Sequence, residues 1–251
     1  MENKLNWEAF APMFGGWADS FKPFFEGEQA WDIYQKLKND SRNGAKIFPA
    51  SNSLYRAFSM CSPSNLKLII YDSDPYPGRY KDHKPQATGL ALDCSNSADK
   101  KMQPSLSAFW EGLKKEYKVK PTHNLEFLAI QGVLLVNRSM TVEYQKIGKH
   151  MGWWDDFHKF FLQEIITSNH PNVPIVFLGK DAAKLDKYVF QLSNPTYILD
   201  HPSFAARSQQ TWDTKGVFTK CNKLIVSNLG AIQEIMWDVE EFDKFLDEAP
   251  F

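Results

Sequence analysis

The residues of this chain that could do chemistry stand just after short apolar runs. In Leu66-Lys67-Leu68-Ile69-Ile70-Tyr71-Asp72-Ser73-Asp74-Pro75-Tyr76-Pro77-Gly78, a run of the kind that forms a buried strand gives way to carboxylates, prolines, a tyrosine and a glycine. Proline fixes its own φ and pushes the preceding residue out of the helical region, so Pro75 and Pro77 hold Asp74 and Tyr76 extended. Three more runs end on polar groups: Gly132 to Val136 on Asn137, Pro174 to Leu178 on Gly179-Lys180, and Thr196 to Leu199 on Asp200-His201-Pro202-Ser203. A carboxylate can stabilise a cation or orient water, an amide can read donor and acceptor patterns, and an imidazole can donate to a developing anion. Singly, each also has a plain structural use, in a turn or as a helix cap.

Whether they act together depends on the elements between them. Ala30 to Lys38, Pro104 onward with Leu106, Phe109, Trp110, Leu113 and Tyr117, Trp153 to Thr167, the segment with Ala182, Leu185 and Val189, and Thr219 to Asn228 carry helical spacing. Ser53 to Met60 reads as a short amphipathic turn. This alternation predicts an α/β fold: one domain over 1–251, a central four-stranded, mainly parallel sheet with helices on both faces, three layers in all. Residues 1–28, aromatic but without a clean period, predict an irregular wrap over the core, and 234–251 an acidic C-terminal segment. In a parallel sheet all strands point one way, so the polar ends share one edge, where open α/β sheets bind ligands. The long loop 72–104, with Gly78, Arg79, Lys81, Lys84, Gly89, Lys100 and Lys101, has the length of a functional loop.

Composition narrows the field. Glu234, Asp238, Glu240, Glu241, Asp243, Asp247 and Glu248 stand against a single Lys244 in the C-terminal segment, so the rest of a chain of formal net charge −1 is mildly basic and compatible with a DNA partner. Cys61, Cys94 and Cys221 show neither disulfide nor zinc spacing, and His83, His123, His150, His158 and His170 show no metal-ligand pattern. Dinucleotide, nucleotide and serine-hydrolase motifs are missing. The apolar runs are too short to cross a bilayer and Met1-Glu2-Asn3-Lys4 opens no signal peptide, which predicts a soluble, intracellular protein, cytoplasmic in a bacterial host.

Asp74-Pro-Tyr76, Gly132 to Asn137 with Met140-Thr141-Val142, Val176 to Gly179, and His201-Pro-Ser203 followed by Phe218 to Asn222 resemble the family 1 uracil-DNA glycosylases. Lys22-Pro23-Phe24-Phe25, Phe48-Pro49, Ala87 to Ala91, Gln103 to Leu106 and Gly152-Trp153 fall in the family's order, so the resemblance runs from about residue 15 to residue 230. It implies an enzyme that flips uracil out of DNA and hydrolyses the N-glycosidic bond without metal or cofactor. Asp74 would stabilise the cationic sugar and orient water. His201 would donate to uracil O2, aided by backbone N–H groups around Ser73 and Asp74. The uracil pocket would be Ser73, Tyr76 against C5, Leu92 at the stacking position and Asn137 on the base edge. Pro104, Ser105, Gly179, Lys180 and Ser203 would hold phosphates. The implied partners are uracil-containing DNA, single- or double-stranded, and a protein inhibitor or replication partner, with the protein a monomer.

Four departures from the family's pattern matter. Asp72-Ser73 replaces Gly-Gln, placing negative charge beside Asp74. Pro77 replaces a histidine, as in the poxvirus branch. Leu92 replaces an aromatic, a loss of stacking on the order of 1–3 kcal/mol unless Tyr80 substitutes. Ala205 replaces the wedge leucine, leaving Phe204 or Arg207 to fill the vacated stack. These changes keep two alternatives open: excision of a 5-substituted uracil, and a weakly active DNA-binding replication accessory. Retention of Asp74, Asn137 and His201 together favours an active enzyme.

Overall fold

The computed structural model describes residues 5–96, 102–189 and 193–248. Its strands are β1 (Ile47–Phe48), β2 (Leu68–Asp72), β3 (Val133–Asn137), β4 (Val142–Glu143), β5 (Ile175–Leu178) and β6 (Thr196–Leu199). The four apolar runs pair in the order β3-β2-β5-β6, all parallel, while β1 and β4 form a small antiparallel pair that the sequence reading did not foresee. Strands β2, β3 and β5 are buried along their whole length, as continuous apolar runs covered on both faces must be. Edge strand β6 buries only Leu199 fully and leaves Thr196 and Ile198 exposed.

The N-terminal aromatic segment is helical rather than irregular: Trp7–Phe10, a 3-10 stretch Ala11–Trp17, and Ala18–Phe25. Gly15, at φ 54°, breaks the stretch, so no single period runs through it. Phe14, Trp17 and Phe21 are fully buried, and the Trp17 indole donates to the Cys61 carbonyl at 2.6 Å. The next helix, Glu28–Arg42, is longer than the predicted 30–38. The predicted helix 153–167 forms as one run, Asp155–Asn169, with a wider π turn over Phe161–Ile166.

The acidic segment is also helical. Val239–Glu248 buries Phe242, and Asp238 just before it accepts the Lys120 N–H at 2.6 Å. Residues 1–4 of the wrap, Lys100 and Lys101 of the long loop, and 249–251 of the acidic segment lie outside the described residues. Among the described residues no helix is long and apolar enough to cross a membrane.

Candidate active site

The last residues of β2 and β3, Asp72 and Asn137, are in register, so both side chains leave the same face at the carboxyl edge of the sheet. Beyond the strands the two chains stay joined: the Arg138 N–H donates to the Asp72 carbonyl at 2.8 Å and the Ser139 N–H to the Ser73 carbonyl at 2.9 Å. Asp74 follows, half-buried, its Oδ2 accepting the Gly148 N–H at 3.4 Å. Burial, and then the neighbouring Asp72 carboxylate, push its pKa up to about 6; Gly148 and His201 oppose the rise and Asp181 adds to it.

His201 comes from the far side of the sheet, just beyond the Leu178–Leu199 register pair. It caps helix Pro202–Ser208 with its own ring: Nδ1 accepts the Ser203 N–H at 3.0 Å. Its Nε2 lies 2.6 Å from Asp72 Oδ1. Gly179, at φ 87°, packs directly on it, and a Cβ there would come within 2.8 Å of the His201 Cβ. Only glycine fits both the backbone angle and the contact. Burial disfavours the imidazolium, but Asp72 and then Asp74 outweigh it, so the pKa is raised above 6.5 in spite of Arg207.

The Tyr76 ring is fixed through its hydroxyl, which donates to the Leu92 carbonyl at 3.0 Å and meets Ser105 Oγ at 2.8 Å. Leu92 is buried at φ 64°, a conformation unusual for a branched side chain and held by its surroundings. Asn137 is buried, and its Oδ1 has no hydrogen-bond partner. An unpaired buried amide oxygen costs free energy unless something fills it.

Several sequence expectations change. Ser105 is buried against Tyr76 and so is not a surface group open to a phosphate. Ala205 is buried against helix Pro104–Leu113 and cannot reach into a base stack. Tyr80 is not free to replace the stacking ring, because it is buried and its hydroxyl donates to the Cys94 carbonyl at 2.9 Å. The Ser73 N–H, expected to face uracil O2, donates to Asp72 Oδ1 at 2.8 Å. Pro104, Lys180, Phe204 and Arg207 are exposed and Ser203 is half-buried, while Gly179 is buried beneath His201.

Other contributors had no sequence signal. Arg138 is buried, pairs through Nε and Nη2 with both Asp155 oxygens (2.8 and 2.7 Å) and donates through Nη1 to the Asp181 carbonyl at 3.0 Å, bracing the exits of β3 and β5. His158, kept neutral with a pKa of about 4 by burial, meets the Arg138 carbonyl at 2.9 Å and Tyr71 at 3.1 Å. Asp40, Glu143 and His150 bring metal-capable donors within 4.8 Å of one another, but the Lys149 ammonium pairs with both carboxylates, so a cation is already in place.

Together these features define an α/β protein that gathers a carboxylate, an amide and an imidazole at the carboxyl edge of its sheet. No family model matches the chain. It is 31% identical over 213 residues to uracil-DNA glycosylase 1 of Listeria innocua, covering 81% of this chain and 90% of the relative. It is 31% identical over 225 residues to the uracil-DNA glycosylase of Francisella tularensis subsp. novicida, covering 87% and 94%. The crystal structure of mimivirus uracil-DNA glycosylase has the same fold, with TM-score 0.77 and 22% identity over 94% of this chain and 91% of that one. A variant of the mimivirus enzyme in complex with UGI superposes at TM-score 0.80 with 22% identity, covering 94% and 92%. The chain belongs to the uracil-DNA glycosylases.

Proposed function

We propose that the protein excises uracil from DNA by family 1 chemistry, with an Asp-Pro-Tyr-Pro form of the catalytic loop. The observation that carries this is the buried, unpartnered Oδ1 of Asn137, in register beside Asp72. An amide there accepts uracil N3–H through Oδ1 and donates through Nδ2 to O4, whereas cytosine offers an acceptor at N3 and an amine at C4. Tyr76, held at its hydroxyl, forms the wall against C5 and leaves no room for the methyl of thymine. Leu92 covers the base with an aliphatic face.

The reaction breaks the C1′–N1 bond, and its electron pair leaves with the base. The sugar becomes cationic and the uracil anionic, the charge shared between N1 and O2. The Asp74 carboxylate stabilises the cation and orients a water, whose oxygen bonds to C1′ while its proton passes to Asp74 and on to solvent. His201 donates through Nε2 to O2. Side chains and water supply every step. Lys180, Arg207 and the half-buried Ser203 position phosphates without reading sequence, Pro104, which has no N–H to donate, makes only an apolar contact with the strand, and Phe204 fills the vacated stack. The protein works as an intracellular monomer, and an inhibitor protein such as UGI, seen on the mimivirus variant, would seat on the same rim.

Base release from single- and double-stranded oligonucleotides carrying uracil, thymine, 5-hydroxymethyluracil or cytosine tests this. Uracil release is expected, with Asp74→Asn and His201→Ala each slower by about 10²–10⁴-fold while DNA binding stays close to wild type. A wild-type protein that frees no uracil refutes the proposal.

A further inference from the structure

Two donors converge on one oxygen of Asp72. Its Oδ1 accepts the Ser73 N–H at 2.8 Å and lies 2.6 Å from His201 Nε2. Because the Ser203 N–H points into Nδ1, the neutral ring carries its one proton on Nε2, the nitrogen that lies against Asp72 Oδ1. The ring has little freedom to turn away, being tied at Nδ1 and packed on Gly179. The carboxylate is itself buried at the end of β2.

These are the donors that the uracil-excision reading, on which this inference rests, directs at the O2 of the leaving base. They cannot serve both oxygens fully at once. We propose that Asp72 is an internal occupant of the leaving-base oxygen site, holding both donors until the base oxygen displaces it and thereby setting how weakly free base is retained. Hydrogen bonds to an ionised acceptor are about twice as strong as neutral ones, so the carbonyl oxygen of neutral uracil competes poorly with a carboxylate. As the glycosidic bond breaks, O2 gains negative charge and competes on nearly equal terms. The occupant therefore penalises the bound ground state and the free product more than the transition state, which is the difference that raises turnover. Once the departing uracil takes up a proton it is neutral again, and Asp72 reclaims the donors.

Titration of isotopically labelled wild-type, Asp72→Asn and Asp72→Ala proteins with free uracil, followed by NMR at the Ser73 amide and the His201 ring nitrogens, tests the proposal. Before uracil is added, both groups should show strong hydrogen bonding in wild type, weaker in Asp72→Asn, whose amide oxygen keeps an acceptor without the charge, and lost in Asp72→Ala. Uracil affinity should tighten in the same order, by about tenfold or more from wild type to Asp72→Ala. Affinity unchanged or weaker in Asp72→Ala overturns the proposal, as does failure of all three proteins to bind uracil. The spectra report folding directly, and the readout needs no turnover. A protein that binds uracil in the expected order yet frees none from DNA supports the occupancy and refutes the excision reaction.

Discussion

Replacing Asp74 with asparagine should make the protein more stable while disabling it, and the size of the gain follows from the site. Burial and the Asp72 carboxylate raise the Asp74 pKa from 3.8 to about 6. At 1.36 kcal/mol per unit, holding this group ionised in the folded protein costs up to about 3 kcal/mol. Below pH 3.8 the carboxyl is protonated in folded and unfolded chains alike, and the cost vanishes. Between 3.8 and about 6 the unfolded chain ionises while the folded one keeps its proton, so the cost grows with pH. Above that window it is constant. An amide of nearly the same shape escapes it, so Asp74→Asn should gain up to about 3 kcal/mol at pH 8 and about half as much at pH 5, read by denaturant unfolding. In thermal unfolding the full effect corresponds to about 6–12 °C. Uracil release by wild type should fall as pH drops below about 6, where Asp74 takes up its proton, whereas Asp74→Asn should be slow at every pH. A variant no more stable than wild type at pH 8, or one whose advantage is equal at pH 5 and pH 8, would refute the reasoning.

Three further perturbations separate positioning, DNA contact and bracing. Gly179→Ala sets a methyl 2.8 Å from the His201 Cβ at a backbone angle that costs an L-residue about 1–2 kcal/mol. Single-turnover release should slow by about 10²-fold with DNA affinity little changed, because the imidazole is displaced rather than removed. Phe204, 58% exposed, should be replaceable by alanine with stability unchanged to about 0.5 kcal/mol. Excision should nonetheless suffer more on duplex than on single-stranded substrate, since only the duplex has a stack to fill. Arg138→Met strands Asp155 and the Asp181 carbonyl and should cost about 3 kcal/mol in urea unfolding, and adding Asp155→Leu should recover most of it because no buried charge is then left alone.

The sheet was legible because its strands are short apolar runs with polar ends, and parallel pairing alone sends those ends to one edge. That geometry brings Asp72, Asn137, Gly179 and His201 together without any help from the loops. Strands β1 and β4, two residues each, are too short for any periodicity to register. The C-terminal helix was obscured by its charge: Val239 and Phe242 stand three apart at the right spacing, but the acidic residues around them read as a solvated tail. In the N-terminal segment the aromatic content announced burial, while the break at Gly15 removed the period that would have announced helices.

The site was legible in residue type and not in bonding. Sequence placed a second carboxylate beside Asp74 and gave its electrostatic sign, since two like charges two residues apart in an extended chain repel whatever the fold. It could not assign Asp72 to His201, because that contact requires the exit of β2 to meet the exit of β6 across β5, with a glycine between them. The same limit explains Ser105 and the Ser73 N–H. Both carry the right chemistry for DNA or for the base, and both are engaged by neighbours that only the folded chain brings close. A polar group near a cleft is open to a ligand without displacement only if the protein has not already satisfied it; an engaged one, such as the Ser73 N–H, must first be released by its partner, and partner accounting distinguishes the two cases. By that measure Asn137 Oδ1 is buried and unsatisfied and Ser105 Oγ is not, although both belong to motifs of equal clarity in the sequence.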